Sequence, residues 1–309
     1  MRKAIIAVLF SVVIFMSCSS NESASEPVVY VSGSYADNGQ RKACYWINGE
    51  RHELDGVSAD SITAVKGKVY AAGYYKEDEA FKGCYWVDGA RYDLPGILFF
   101  SLHRDFITGG IFVDKGNVYV SGSTDDGSRY WINGVIQNPP SDGIMCNIFV
   151  KNGNVYIPGY YSKGSIVKAC YWVNGKRHEL SGSDNFVANT VIVENNKVYV
   201  AAIPDWILGS IFDETNRTSC YWTDGKQSYF SNLYYAFVVS DGDVFIAYQE
   251  GLSKNGEFYK EYNVGSYKTL AVKNGKTYII DVDNSAYEGY WIDNKFYPLD
   301  GVATSIFVE

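Results

Sequence analysis

From residue 28 onward the chain is a succession of short apolar runs separated by two-residue turn signals. One kind of run returns as "VVYVSGSY" at 28, "KVYAAGYY" at 68, "NVYVSGST" at 117, "NVYIPGYY" at 154, "KVYVAAIP" at 197, "DVFIAYQE" at 243 and "KTYIIDVD" at 276. A second kind carries a Tyr-Trp pair, with tryptophans at 46, 86, 131, 172, 222 and 291. One copy is degenerate: in "LSKNGEFY" Leu252 and Ser253 stand where the others have Tyr and Trp, while Asn255-Gly256 keeps the turn. Pairs such as Lys66-Gly67, Asn152-Gly153, Asp241-Gly242 and Asn274-Gly275 lie just before the first kind of run. Asn48-Gly49, Asp88-Gly89, Asn133-Gly134, Asn174-Gly175 and Asp224-Gly225 lie just after the second. Asn-Gly and Asp-Gly readily take the positive φ angles of primed turns, whose twist suits an antiparallel hairpin. Each repeat therefore predicts four antiparallel strands, which in the second repeat run over 61–65, 68–74, 83–87 and 90–94.

Four strands about every forty residues, seven times over, predict an all-β fold: a seven-bladed β-propeller of four-stranded antiparallel blades over 28–309. The final "GVATSIFVE" matches the innermost-strand position seen as "VSADSITAV", and the first repeat lacks that strand. The C-terminal strand, 304–308, is thus expected to pair with 28–33 and close the ring, leaving no inner edge strand exposed. A stack or sandwich of the same hairpins is the competing architecture, and six or eight blades follow if the degenerate repeat is misread.

Alternate strand residues face opposite sides, so Cys44 and Trp46 share one face of the third strand and Tyr45 and Ile47 the other. A blade is covered on both faces by its neighbours, which accounts for the near absence of polar alternation. Cys44, Cys84, Cys170 and Cys220 hold one position in four blades. Equivalent positions around a ring lie beyond the roughly 7 Å between Cα atoms that a disulfide spans, so these thiols are expected to be free apolar fillers. Cys146 is expected in an inner strand, again unpaired. His52 and His178 recur at one position that Tyr92 takes in another copy, which suits size and a polar tip on an outer strand better than metal ligation. No metal site and no cofactor is expected.

Aromatic residues make up 16% of the chain, with 27 Tyr, as a protein of many short strands requires. A net charge of -8 with no basic cluster argues against nucleic acid as a partner. The first residues, "MRKAIIAVLFSVVIFMS", place two basic residues ahead of an apolar run of signal-peptide length, too short to span a bilayer. Ser17-Cys18 and the polar "SSNESASEP" follow. This segment resembles a bacterial lipoprotein signal, with Phe15 where such signals usually have Leu. The resemblance implies cleavage after residue 17, lipid attachment at Cys18, a flexible tether over 18–27, and an outer-membrane address from the serine after the cysteine. Contact with the membrane would then run through the lipid alone.

Two known signatures occur in part. "YWTD" at Tyr221–Asp224 is similar to the repeat of lipoprotein-receptor propellers, but there the Tyr-Trp pair lies on the strand that "VYV" occupies here. "STDDGSRYW" at Ser123–Trp131 resembles the Asp-box of sialidase-type propellers with one residue too many before the Trp. Across 28–309 the repeats resemble those of uncharacterised bacterial propeller lipoproteins of the cell envelope, a likeness specific for fold and poor for activity.

In such a meander the first and third turns of every blade lie at one end of the disc, and the second turns and blade-to-blade links at the other. The first set is uniform. The second varies, through 74–82, 94–110, 139–146, 160–168 and 203–219, and a rigid ring with variable loops at one end is how scaffolds position binding groups. Candidate binding residues are Tyr75, Phe100, His103, Arg104, Asp105, Tyr161, Asp205 and Trp206. No nucleophile elbow, phosphate loop or metal-ligand run is present. The expectation is a non-catalytic, lipid-anchored envelope propeller, monomeric or part of a complex, that binds an envelope protein or a glycan through this end. The alternative is a polysaccharide-active hydrolase or lyase using loop carboxylates such as Asp105, Asp205 and Glu214.

Overall fold

The computed structural model describes residues 26–99, 108–124, 127–138, 143–145, 147–205, 218–230, 233–248, 251–261, 267–281 and 289–309. Their strands form seven antiparallel sheets in a ring, as the repeats predict. Blade one joins Val302–Val308 to Val29–Asp37, Gln40–Ile47 and Glu50–Glu53. Val29 pairs with Val308 and Ser34 with Val302, so the closing strand is two residues longer than expected at its start. Inner strands contact their neighbours all the way round, and the ring is closed.

The residue after each third strand does more than turn the chain. Asn48, Asp88, Asn133, Asn174, Asp224, Asn255 and Asp293 all have φ between 48° and 53°. In every blade the backbone N–H of this residue donates to the carbonyl at the start of the second strand, for example Asn48 to Val29 at 2.8 Å and Asn174 to Val155 at 2.9 Å. Its side-chain oxygen accepts the N–H of the same strand residue in return: Val29 to Asn48 at 2.9 Å, Val69 to Asp88 at 2.8 Å, Val198 to Asp224 at 3.0 Å. Valines 118, 155 and 244 and Thr277 repeat the bond to their own Asx partners. A short side chain that tolerates the left-handed region and carries an acceptor is therefore required, which limits the position to Asn or Asp.

The tryptophans of the third strands wedge each blade against the one before it. Trp46 packs with Tyr278, Ile280 and Tyr290 of blade seven, Trp86 with Tyr30 and Tyr45 of blade one, and Trp222 with Ala169 and Leu180 of blade four. Trp46, Trp131, Trp172 and Trp222 are fully buried. Space for the ring comes from glycine: a Cβ on Gly33 or on Gly159 would lie 2.9 Å from its blade's indole. Gly56, Gly143 and Gly301, in the links, leave no more room over Trp86, Trp172 and Trp46. Indole N–H groups donate to the preceding blade's outer strand or outgoing link: Trp46 to Asp300 Oδ1 at 2.9 Å, Trp131 to the Pro95 carbonyl at 3.1 Å and Trp222 to the Ser181 carbonyl at 2.8 Å. Trp86 Nε1 is buried without an acceptor.

Three segments expected as loops are strands. Lys68–Glu77 and Ala80–Val87 continue their ladder to a two-residue turn at Asp78-Glu79, and Asn154–Lys163 and Ile166–Val173 do the same around Gly164-Ser165. Ala90–Phe99 extends the fourth strand of blade two through much of what reads as the 94–110 loop, with Leu98 opposite Lys82. Beyond the buried ring these hairpins project into solvent, where polar residues such as Lys76 and Glu77 carry the ladder without an apolar signal. The inner strand expected around Cys146 is split into Ile144–Met145 and Phe149–Lys151, and Cys146 itself lies outside the described residues.

Replacing Asn48 by Ala removes one hydrogen bond and leaves a side chain ill-suited to positive φ, a loss of about 1–2 kcal/mol in denaturant unfolding. Asn48→Asp, the residue that blades two and five use, is expected to retain most of that. In blade seven, burial pushes the Asp293 carboxyl up, but hydrogen bonds from Lys260 Nζ at 3.0 Å and Thr277 outweigh it and hold the group below its ordinary value. A depressed folded pKa stabilises above the unfolded value, near 4, and the gain disappears as pH falls through the folded one. Asp293→Asn should therefore flatten the acid limb of the stability curve, measured by thermal melting between neutral pH and about pH 3.

Candidate functional site

The inner strands carry one irregularity, repeated around the ring. In blade one Ser32 pairs with Ser305 and Gly33 with Ala303, leaving Thr304 unpaired. The same break in register leaves out Asp60, Gly109, Asn189, Tyr235 and Lys268 in blades two, three, five, six and seven. In blade four the break falls where the inner strand divides, beside Asn147. A bulge places an extra residue out of the ladder and re-aims its side chain, and bulges recur next to functional sites. Here they form a ring of seven near the starts of the inner strands, toward the end of the disc that holds the links.

Polar groups gather at this level. Thr304 Oγ1 donates to the Ala59 carbonyl at 2.6 Å and lies 3.0 Å from Ser32 Oγ. Ser58 Oγ donates to Asp60 Oδ1 at 2.9 Å. Arg41 Nε donates to Ser34 Oγ at 2.7 Å and its Nη2 approaches Ser58 Oγ at 3.5 Å, so a guanidinium, two buried hydroxyls and a carboxylate form one network across blades one and two. Asn147 Oδ1 accepts from Ser121 Oγ at 3.3 Å and from the Ile148 N–H at 2.8 Å. Asn189 Oδ1 accepts from the Tyr234 hydroxyl and from Thr190 Oγ1. Donors and acceptors held on strands with little freedom suit recognition of a polar ligand; among the described residues no three His, Cys, Asp or Glu side chains come together as a metal would need.

Of the candidates read from the sequence, Tyr75 and Tyr161 sit on the projecting hairpins, and each has its ring covered. Arg91 lies 3.9 Å from the Tyr75 centroid and Arg177 lies 4.0 Å from that of Tyr161, with Arg51 over Tyr35 repeating the arrangement in blade one. Only 6% of Tyr75 is exposed. Tyr161 donates to Glu179 Oε1 at 3.1 Å. Burial, helped by Asp93 and Glu179 respectively, raises both phenols above their ordinary value, so they stay protonated as donors. Arg51 also pairs with Asp300, and Arg91 with Asp55 at 2.6 Å, which ties each stack to the incoming link. Asp205 is held through its backbone N–H, which donates to the Asn185 carbonyl at 3.0 Å. Phe100, His103, Arg104, Asp105 and Trp206, together with Cys18, lie outside the described residues.

The repeated histidines are stacking partners. His52 lies 4.9 Å from Tyr45 at an interplanar angle of 9°, and His178 lies 5.0 Å from Tyr171 at 16°. Tyr92 on Tyr85 and Tyr297 on Tyr290 fill the same cross-strand place, which is why His and Tyr exchange there. Of the residues that reading the sequence missed, Arg41, Ser58, Asp60, Asn189 and Thr304 lie on strands, and Asn147 lies between two short inner strands. Their signal was the single polar residue too many in "SADSI", "VANTV" and "ATSIF".

Cys44, Cys84, Cys170 and Cys220 are in no disulfide and are fully buried. Burial pushes the Cys44 and Cys220 thiols up to about 12 and raises that of Cys84 as well. With almost no thiolate below pH 9 at Cys44, Cys84 and Cys220, and with Cys170 equally buried, the four are expected to resist alkylation in the native protein and to label only on unfolding, read by peptide mass mapping.

No protein-family model and no curated protein sequence matches the chain. Solved structures do resemble it in shape. The β-propeller domain of the Trilobed protease from Pyrococcus furiosus, described as having an open velcro topology, superposes with a TM-score of 0.53 at 10% identity, over 89% of this chain and 96% of that one. Two structures described as putative 6-phosphogluconolactonases superpose at 0.52 and 9% identity: one from Bacteroides fragilis NCTC 9343, over 93% of this chain and 99% of its own, and one from Bacteroides uniformis ATCC 8492, over 92% and 99%. At such identities the likeness is one of fold alone, and it agrees with the ring of blades described above.

Proposed function

We propose that this chain is a lipid-anchored propeller of the cell envelope that binds an envelope protein or a glycan, without catalysis, through the end of the disc that holds the links. The observation that carries this reading is the unlike chemistry of the two ends. At one, the turns after the third strands are capped alike by Asn or Asp in all seven blades, and carboxylates of Asp114, Glu194 and Glu309 tie first turns to a neighbouring blade. Their hydrogen bonds are already used within the fold. At the other lie the bulge ring, the Arg41–Ser58–Asp60 network and every arginine-covered tyrosine. Polar groups on rigid strands lose little entropy when a ligand engages them, which favours binding at this end.

Lipid attachment at Cys18 rests on the resemblance of residues 1–27 to a lipoprotein signal, and it would leave the propeller free on a polar tether. Two experiments test the reading. Cys18→Ala is expected to move the protein from the membrane to the soluble fraction of its native envelope; retention would overturn the anchor. Co-purification from that envelope, with a glycan array run in parallel, is expected to give a specific ligand whose binding falls at least tenfold in Arg41→Ala and Asp60→Ala and is unchanged in Lys176→Ala at the opposite end. Release of cleaved glycan would overturn the non-catalytic reading, and loss through Lys176 would put the site on the wrong end.

A further inference from the structure

The sixth blade breaks the wedge rule, and the break is matched by changes around it. Ser253 pairs with Ile246 as Trp46 pairs with Val31 and Trp222 with Val200, so it holds the tryptophan position. A crevice of about 480 Å³ opens beside it between blades five and six, lined by Thr218, Tyr229, Phe230, Tyr248, Gly256 and Phe258 with Ser253. That volume is in the range of ligand pockets, roughly 300–1,000 Å³.

Three of the walls differ in kind from their counterparts in blades one, two and four. Phe258 lies opposite Ser253 in the register where Arg51, Arg91 and Arg177 lie opposite their tryptophans. Tyr229 holds in blade five the place of Glu53, Asp93 and Glu179. Tyr248 stands in the register of Gly33, Gly73 and Gly159, and at Gly33 and Gly159 a Cβ would crowd the indole. Blade seven also sets a phenylalanine, Phe296, opposite its Trp291, but beside Ser253 the aromatic rings flank a gap, and Tyr229 and Phe258 are 61% and 62% exposed, with Tyr259 at 45% beside them. Among the described residues, none that lines the crevice is charged. Aromatic walls with the hydroxyls of Ser253, Thr218 and the tyrosines suit a flat, uncharged ring bearing one donor.

In blades one to five the ring at this position is the chain's own indole, which packs on the preceding blade. We infer that the crevice between blades five and six takes the aromatic side chain of a partner polypeptide, a tryptophan above all, supplying from outside the ring that Ser253 omits. The site is at the rim of the disc, away from the bulge ring, and does not rest on the function proposed above.

N-acetyl-tryptophanamide and a short tryptophan-containing peptide, titrated into the protein and followed by NMR, are expected to shift signals of Ser253, Tyr229 and Phe258 saturably, with the peptide binding more tightly. Restoring the repeat with Ser253→Trp and Tyr248→Gly together fills the crevice, so binding should fall at least tenfold and the melting temperature rise. Phe258→Arg, at an exposed site where folding is not in question, should weaken the probe at least threefold. Absence of saturable binding, preference for methyl glucoside over the tryptophan probes, or binding indifferent to both variants would overturn the inference.

Discussion

Everything in this fold hangs on a planar ring set between neighbouring sheets. A twisted four-stranded sheet is wider apart from its neighbour at the rim than at the axis, and an indole on the third strand fills the gap that opens there. Burying so large a side chain contributes a few kcal/mol in each blade that has one. It also constrains what surrounds it. Glycine is needed on the second strand where the ring lies flat, as at Gly33 and Gly159, and again in the link above it, as at Gly301 and Gly143. The indole N–H then needs an acceptor, which the end of the preceding blade supplies at Asp300, Pro95 and Ser181. Ring, glycine and link are thus chosen together, and one change loosens all three.

The Asx cap solves a different problem. Most outer strands are short and would fray if held by cross-strand pairing alone, since four-residue strands such as Glu50–Glu53 make few ladder bonds. Tying the turn to the second strand, two strands away from the rim, makes the outer hairpin part of the inner sheet. Each reciprocal pair contributes on the order of 1 kcal/mol, and repetition makes the sum comparable to the stability of a whole domain. The cost is uniformity: an end built this way has one geometry in every blade and little chemistry left over. Variation is left to the links and second turns, where stacks such as Arg51 on Tyr35 differ from blade to blade in their charge partners.

The fold was legible because its determinants are local and periodic. Asn48-Gly49 and its five Asx-Gly copies announce a turn by themselves, and their recurrence about every forty residues leaves little freedom in topology. The assignment of buried cysteines and stacked histidines to architecture followed from the same repetition. What did not show was anything set by register. Whether 74–82 is a loop or a ladder depends on polar residues pairing across a hairpin, and Lys76 opposite Phe81 looks the same in sequence either way. The bulges hide for a related reason: one extra residue in eight shifts the alternation by one position, and only the pairing partner reveals it. The arginine over Tyr75 hid the fate of a candidate that read as an exposed platform.

Degeneracy in the sixth repeat illustrates how such a ring tolerates exceptions. Losing an indole from an open sheet would leave a cavity and an unsupported edge, a loss of several kcal/mol. Here blade six is clamped on both sides: Phe237, Ile246 and Tyr234 still pack on Tyr199 and Ala201 of blade five, and Leu252 and Phe245 meet Leu270 and Ile279 of blade seven. Glu194 of blade five still holds the Asp241-Gly242 turn of blade six by two backbone bonds. Asn255 keeps its cap on Val244. With the inner half fixed by its neighbours and the turn by its Asx residue, the outer half is released from the packing rule that binds the other blades. A closed ring of repeats is therefore able to give up one wedge without losing its shape, and at the freed position the rim can acquire a surface that the tryptophan-bearing blades do not have there.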